Sequence, residues 1–354
     1  MRIAVTYGPM CLMRYPEETW DDPRTGSEIG WRRIVEELRL LGHEVDRSWC
    51  GVDHPDGYDA VVSINEPYSL RPFTKAKLRV CCFWLNEFTF CKEGQYGHQD
   101  FDDFVDLYLS PSEAHRQKAI GEWGAPRPEK WSVNHLGCDT VNGLAKIPGR
   151  VVYCSSPDRG LHRVLEGWPA IRRAVPGANL RIFYRLAPWF RGFDTTPYYP
   201  PIEKLRHRAL WCEEALRRLS GPEWGITVVD SVNHDQLMRE MAEAEVLLFP
   251  AETVSWSEGF SCATMEGCAA GCAVIVSDCD SLGEVYAPLD PFKTGDWDAF
   301  RDRTIRALQD AAFRAELQSK ARLLASQNTW KKHAERLDAT IREHFRRSIL
   351  VEGR

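Results

Sequence analysis

The sequence predicts an α/β protein built from two Rossmann-like, doubly wound domains facing each other across a cleft. Three observations carry that expectation. The chain has 354 residues, more than one hydrophobic core normally serves, and the usual division is into domains of about 100–200 residues. Short apolar runs alternate with segments of helical periodicity along the whole length, as a parallel sheet covered on both faces requires. The alternation breaks around Asp139 to Arg150, where periodicity fails and Gly and Pro appear. The expected division is an N-terminal domain over 1–145, a second domain over 146–328, and a terminal helix over 329–354 that crosses back to the first.

The elements follow in order. "RIAVTY" is a β-rich run, and "SEIGWRRIVEELRLLGHEV" places Ile29, Ile34, Val35, Leu38 and Leu41 at helical spacing before Gly42 closes the helix and a second strand begins. The runs "YDAVVSI", "RVCCFWL", "DLYLSPS" and "WSVNHL" complete the first series. A second series runs through "VVYCSS", "NLRIFYR", "GITVVDSV", "EVLLFP" and "CAVIVSD", with helices such as "HDQLMREMAEA" between them. The last helix, "KKHAERLDATIREHFRRSIL", carries six Lys/Arg against three Asp/Glu. It reads as a solvated helix packing through Leu337, Ile341 and Phe345, or as a weakly basic face for peripheral contact with an anionic membrane.

Apolar residues make up 44% and charged residues 27% of the chain, which is ordinary globular usage. A net charge of −6 supplies no global basic field to hold nucleic acid by its phosphates, although a local patch stays open. The N-terminus passes from Met directly into a strand, and no window approaches the roughly 20 apolar residues of a membrane span. A cytoplasmic protein without a transmembrane segment is expected. The twelve cysteines include no Cys-x-x-Cys pair. Cys81, Cys82, Cys154 and Cys279 lie in or beside strand-like runs, as small buried hydrophobes do. Cys268 and Cys272, with Cys279 beyond, could approach one another at a helix end, but they lack a histidine or carboxylate at ligand spacing, so no metal site is expected.

The chemistry concentrates in "SEGFSCATMEGCAAG", Ser257 to Gly271. The strand "EVLLFP" ends at Pro250, "AETVSWSEGF" is loop-like, and Ser261 suits the N-cap of a helix running to Gly271. Glu258 therefore stands on the loop and Glu266 inside the helix. Ligands of open parallel sheets bind beyond the carboxyl ends of the strands, where a helix N-terminus favours phosphate. Gly259 lets a backbone come close to such a ligand, Glu266 can accept hydrogen bonds from ribose hydroxyls, and Glu258 reaches a sugar on the other side.

The longer stretch "SEGFSCATMEGCAAGCAVIVSDCDSLGEV" resembles the signature of retaining group 1 (family 4) glycosyltransferases: two glutamates separated by seven residues, a small-residue helix, a strand and a glycine-acid turn. Glu258, Gly259, Phe260, Glu266, Gly271, Gly283 and Glu284 match it. "TGSEIGWRRIVEELRLLGHEV", which contains Gly26, is similar to the family's first glycine loop, helix and second strand, and "NHLGCDT" to the turn ending its N-terminal domain. The resemblance implies the glycosyltransferase-B architecture and a nucleoside diphosphate sugar as donor. It also implies a leaving phosphate oxygen that itself takes the acceptor's proton, and chemistry that needs no metal or other cofactor. Glu258, Arg159 and Asn86 would then serve the reacting centre, with Glu266, Gly259, Phe260, Ser261, Arg185 and Gly26 around the donor.

The chain departs from the family at two places. The family commonly has Arg followed five residues later by Lys-Gly after the first strand of the second domain, where they bind the donor diphosphate. Here "CSSPDRG" offers Arg159-Gly160 at the Lys-Gly place and Cys154 at the Arg place, and Arg185 is the nearest replacement. In the first domain, many members place a histidine after a strand like "RVCCFWL"; this chain has Asn86 and Glu87, either able to bond a sugar hydroxyl. His115 and His135 read as structural. The aromatic and proline-rich stretch Leu186 to Pro201 is either a tethered surface loop or a wall of the cleft.

The function expected is retaining transfer of a sugar from a nucleoside diphosphate sugar to an acceptor hydroxyl. A dinucleotide-dependent oxidoreductase would need a Gly-x-Gly-x-x-Gly turn, absent from both "RIAVTYGPM" and "VVYCSSPDRG". A non-catalytic nucleotide-sugar-binding protein of the same fold is the other alternative. The acceptor stays open among saccharide, glycolipid, small molecule, protein and modified DNA base.

Overall fold

The computed structural model describes residues 1–8, 16–23, 25–49, 56–85, 103–121, 127–141, 143–187, 202–230, 232–254 and 258–352. Internal packing divides the chain into two units, Met1–Gly137 with Asn328–Arg354, and Cys138–Gln327.

In the first unit the chain forms β1 (Arg2–Tyr7), α1 (Pro16–Asp21), α2 (Gly26–Leu40), β2 (Glu44–Trp49), β3 (Ala60–Ile64), β4 (Leu78–Cys82), β5 (Leu107–Ser110), α3 (Glu113–Gly121) and β6 (Trp131–Val133). The six strands are all parallel, in the order β2-β1-β3-β4-β5-β6. Strands β1 and β3 are apolar and buried on both faces, as a sheet with helices on either side demands. Helix α2 starts in a reciprocal capping box: Thr25 Oγ1 accepts from the Glu28 amide and the Glu28 carboxylate accepts from the Thr25 amide. Its buried Trp31 donates Nε1–H to the Val5 carbonyl at 3.0 Å, tying the helix to β1.

The second unit contains β7 (Ile147–Tyr153), α4 (Leu161–Ala174), β8 (Asn179–Ile182), α5 (Ile202–Arg218), β9 (Ile226–Val228), α6 (His234–Glu243), β10 (Ala244–Phe249), α7 (Cys262–Ala269), β11 (Ala273–Val276), α8 (Leu282–Val285), α9 (Trp297–Gln309) and α10 (Ala311–Gln327). Its five parallel strands lie in the order β11-β10-β7-β8-β9. From β7 the chain winds outward through β8 and β9, then returns to the other side of β7 with β10 and β11. The order thus reverses between β7 and β10, and folds of this kind bind ligands beyond the strand ends at such a reversal. Trp168, Tyr153, Leu165, Ile182, Leu248 and Phe300 belong to the core beneath. The small side chains of α7 let it lie close on β10: a Cβ at Gly267 would collide with Leu247.

The final helix, α11 (Trp330–Glu352), belongs to the first unit and packs on α2. Trp330, Ala334, Leu337 and Ile341 form its buried stripe, and Phe345 is half-buried. Gly30 of α2 has no room for a Cβ, since Trp84 and Trp330 would stand 2.6 and 3.1 Å from it. Much of the helix's basic charge is matched locally, as in Arg342–Asp338 at 2.8 Å and Arg347–Glu343 at 2.9 Å. Among the described residues no helix is long and apolar enough to cross a membrane.

Candidate functional site

Two loops meet beyond the ends of β7 and β10. After β7, the turn Pro157–Arg159 leads into α4 through Gly160. Gly160 has φ 104°, and a Cβ there would collide with the Pro250 carbonyl, so the turn rests directly on the chain leaving β10. After β10, the chain returns through Glu258 to Ser261 and enters α7.

This contact sets Arg159 against Glu258, with Arg159 Nε donating to Glu258 Oε1 at 2.5 Å. The same guanidinium also pairs with Asp158. Glu258 is buried, and burial pushes its carboxyl up to about 7 in spite of the opposing pull of Arg159, with Asp158 and Asp280 adding to the rise. Its backbone is fixed as well: the Glu258 amide donates to Asp280 Oδ2 at 3.1 Å, and its carbonyl accepts from the Ser281 amide at 3.1 Å.

Ser261 caps α7 with its hydroxyl accepting from the Thr264 amide at 3.4 Å. It does so at φ 64°, a conformation strained for a residue with a Cβ, and Tyr286 Oη–H holds the Ser261 carbonyl at 2.7 Å. Gly259 and Phe260 complete the approach to the helix; the Phe260 ring is 2% exposed and serves packing. One turn into α7, Glu266 is buried, and His234 at the start of α6 places Nε2 2.8 Å from its Oε1.

The second unit thus brings together Glu258, Gly259, Phe260, Ser261, Glu266 and Arg159. Arg185, beyond β8, is exposed and makes no hydrogen bond or ion pair with this group. Cys154 is a buried thiol raised well above its usual pKa by burial, not a charged group. Gly26 opens α2 in the first unit. Asn86, Glu87 and residues 188–201 lie outside the described residues. His115 is a structural residue: its ring is buried between Ser110 Oγ at 3.1 Å and the Leu85 carbonyl at 2.8 Å.

The acid pair Asp278 and Asp280 is used by backbone and hydroxyl groups. Asp278 accepts from the Thr294 amide and hydroxyl, both at 2.7 Å, and Asp280 from Glu258 and Thr253. Among the described residues, no three His, Cys, Asp or Glu side chains gather to hold a metal ion. Sequence reasoning missed His234 as a partner of Glu266, and Asp158 and Asp280 as the acids flanking the Arg159–Glu258 pair. His234 was visible only as the first residue of a helix.

Residues 214–324 match the family model described as glycosyl transferases group 1. The protein carries a group 1 glycosyltransferase segment on the glycosyltransferase-B fold. The segment spans the acid pair, while Arg159 precedes it. The fold is shared with a sucrose-phosphate synthase from Thermosynechococcus elongatus (TM-score 0.67, 14% identity, 97% of this chain and 99% of that one). It is shared equally with Anabaena HepE, solved in complex with UDP and glucose (TM-score 0.62, 13% identity, 96% and 99%). A glycosyltransferase involved in avilamycin A biosynthesis is a third (TM-score 0.61, 14% identity, 96% and 97%). At these identities the likeness is one of fold. No curated protein matches the sequence.

Proposed function

We propose that this glycosyltransferase is a retaining enzyme that moves a sugar from a nucleoside diphosphate sugar to an acceptor hydroxyl. The observation that carries the reading is the pair of buried carboxylates on either side of the α7 N-terminus, Glu258 held by Arg159 and Glu266 held by His234, at the reversal of strand order. A phosphate beyond these strand ends meets the first turn of α7 and the Arg159 guanidinium, which together neutralise charge developing on the leaving diphosphate. Glu266, one turn deeper, accepts from the ribose hydroxyls. Glu258 accepts from the transferred sugar and orients Arg159. The complex of HepE with UDP and glucose supports a donor of this class.

In this reading the diphosphate oxygen receives the acceptor's proton on the face it leaves, so the side chains orient and neutralise, and no metal or other cofactor takes part. We place the reaction in the cytoplasm. Incubation with α-linked nucleotide sugars, followed by proton NMR of the first product, tests it. An α-linked product formed equally well in EDTA is expected; a β-linked product, or activity lost in EDTA and regained with Mg²⁺, overturns it. Binding of nucleotide sugars with neither transfer nor hydrolysis would favour a non-catalytic binder, a reading supported by the neutral Cys154.

A further inference from the structure

A second cavity of about 370 Å³ opens in the same unit between α4 and α5. None of its lining residues is Arg159, Glu258 or Glu266. One face of α5 lines it with Lys204, His207, Arg208 and Trp211, spaced so that all four share that side of the helix. Opposite, Arg163 of α4 and Glu252, on the loop after β10, complete the wall.

Glu252 organises the cations. Its Oε2 accepts from Arg163 Nε at 2.6 Å and lies 3.0 Å from His162 Nε2, and its Oε1 lies 3.5 Å from Arg208. Although burial works against it, these partners hold the Glu252 carboxyl down at about 2, so it stays ionised. The other acid of the wall, Glu166, is taken by Arg163 at 2.7 Å. Three full cations, Arg163, Lys204 and Arg208, therefore face two carboxylates that are already engaged. Arg208 is largely buried; it donates to the Glu252 backbone carbonyl, but its ion pair with the Glu252 carboxylate is long, so three cations facing two carboxylates leave the pocket with a net positive charge. Beside it Trp211 is 38% exposed and presents an aromatic surface.

We propose that this cavity binds a sugar phosphate. Lys204 and Arg208 hold the phosphoryl group, Trp211 packs against the apolar face of the sugar ring, and the volume is within the range of small-molecule pockets. The charge of Asp158 reaches Arg208 and Tyr184, and Asp158 pairs with Arg159, which puts this pocket beside the Arg159–Glu258 pair without sharing its side chains.

Calorimetric titration of the full chain with glucose 6-phosphate, glucose and inorganic pyrophosphate, each with and without saturating UDP, tests the proposal. Glucose 6-phosphate binds and glucose does not, UDP leaves that binding in place, Lys204→Glu weakens it at least tenfold, and Trp211→Ala weakens it while sparing pyrophosphate. Lys204 and Trp211 are exposed, so both variants keep the fold, which unchanged melting temperatures confirm. No binding of glucose 6-phosphate, full displacement by UDP, or wild-type affinity in either variant overturns the proposal. Displacement by UDP would assign the cations to the donor instead.

Discussion

His234 Nε2 lies 2.8 Å from Glu266 Oε1, joining the first residue of α6 to the middle of α7. The imidazole fixes one carboxylate oxygen, and in the proposed site the other receives the ligand. Glu266→Ala is expected to weaken nucleoside diphosphate binding by about 1.5–3 kcal/mol, the usual value for hydrogen bonds to a charged acceptor. His234→Ala should cost less, because the acceptor remains and only its orientation is lost. Calorimetric titration of UDP with each folded variant measures both; unchanged affinity for Glu266→Ala would remove that residue from the site.

Glu258 carries a pH signature. Burial raises its carboxyl from 4.5 to about 7, so the folded protein holds the proton more tightly than the unfolded chain does. The stability associated with the protonated group is complete below pH 4.5 and is lost as pH rises through 7. Glu258→Gln has no such loss. The melting temperature of the variant minus that of the wild type should therefore increase between pH 5 and pH 8, and a flat difference would contradict the buried, raised carboxyl.

Two of the buried histidines of the first unit, His115 and His333, work in the opposite sense. Burial lowers His115 and His333 to about 4 from 6.5, although the Leu85 and His135 carbonyls pull each the other way. Their stabilisation is present above pH 6.5 and is lost as pH falls through about 4, on the order of 3 kcal/mol for each. Thermal melts from pH 7.5 to pH 4.5 should show a falling midpoint, shallower in His115→Gln and in His333→Gln.

Gly160→Ala should lower stability and remodel the site together. The left-handed backbone costs a residue with a Cβ about 1 kcal/mol, and the collision with the Pro250 carbonyl adds to it. A fall of several degrees in melting temperature is expected, with weaker donor binding because the Arg159 turn is pushed from Glu258. Gly42→Ala is the control: it has φ 86° but open space around a Cβ, so it should reproduce the strain alone.

Local periodicity was enough to read both parallel sheets, since each strand is a short apolar run and each helix keeps its own stripe, as with Ile34, Val35 and Leu38 on α2. The acid pair was legible because Glu258 and Glu266 sit on one continuous loop and helix. What escaped the sequence is contact made across the chain. His234 meets Glu266 only because α6 and α7 pack together, and Arg159 meets Glu258 only because Gly160 rests on Pro250. Neither relation leaves a spacing to recognise. Arg185 stands exposed beyond β8 without a hydrogen bond or ion pair to these residues, a placement that its nearness to a strand end in sequence does not convey.

The return of α11 to the first unit sets an order of events on the ribosome. Gly137 lies so close to the Trp330 backbone that no Cβ fits there, and α2, which packs on β1, β2 and β3 of the leading segment, gains its remaining helical partner only when Trp330 to Ile341 has been made. The intervening residues, 138–327, contain their own complete sheet and core. They can reach a finished state while the earlier half still lacks the cover that Trp330 gives α2 at Gly30. Vectorial synthesis ordinarily favours the leading domain; here the segment made first is completed by the segment made last.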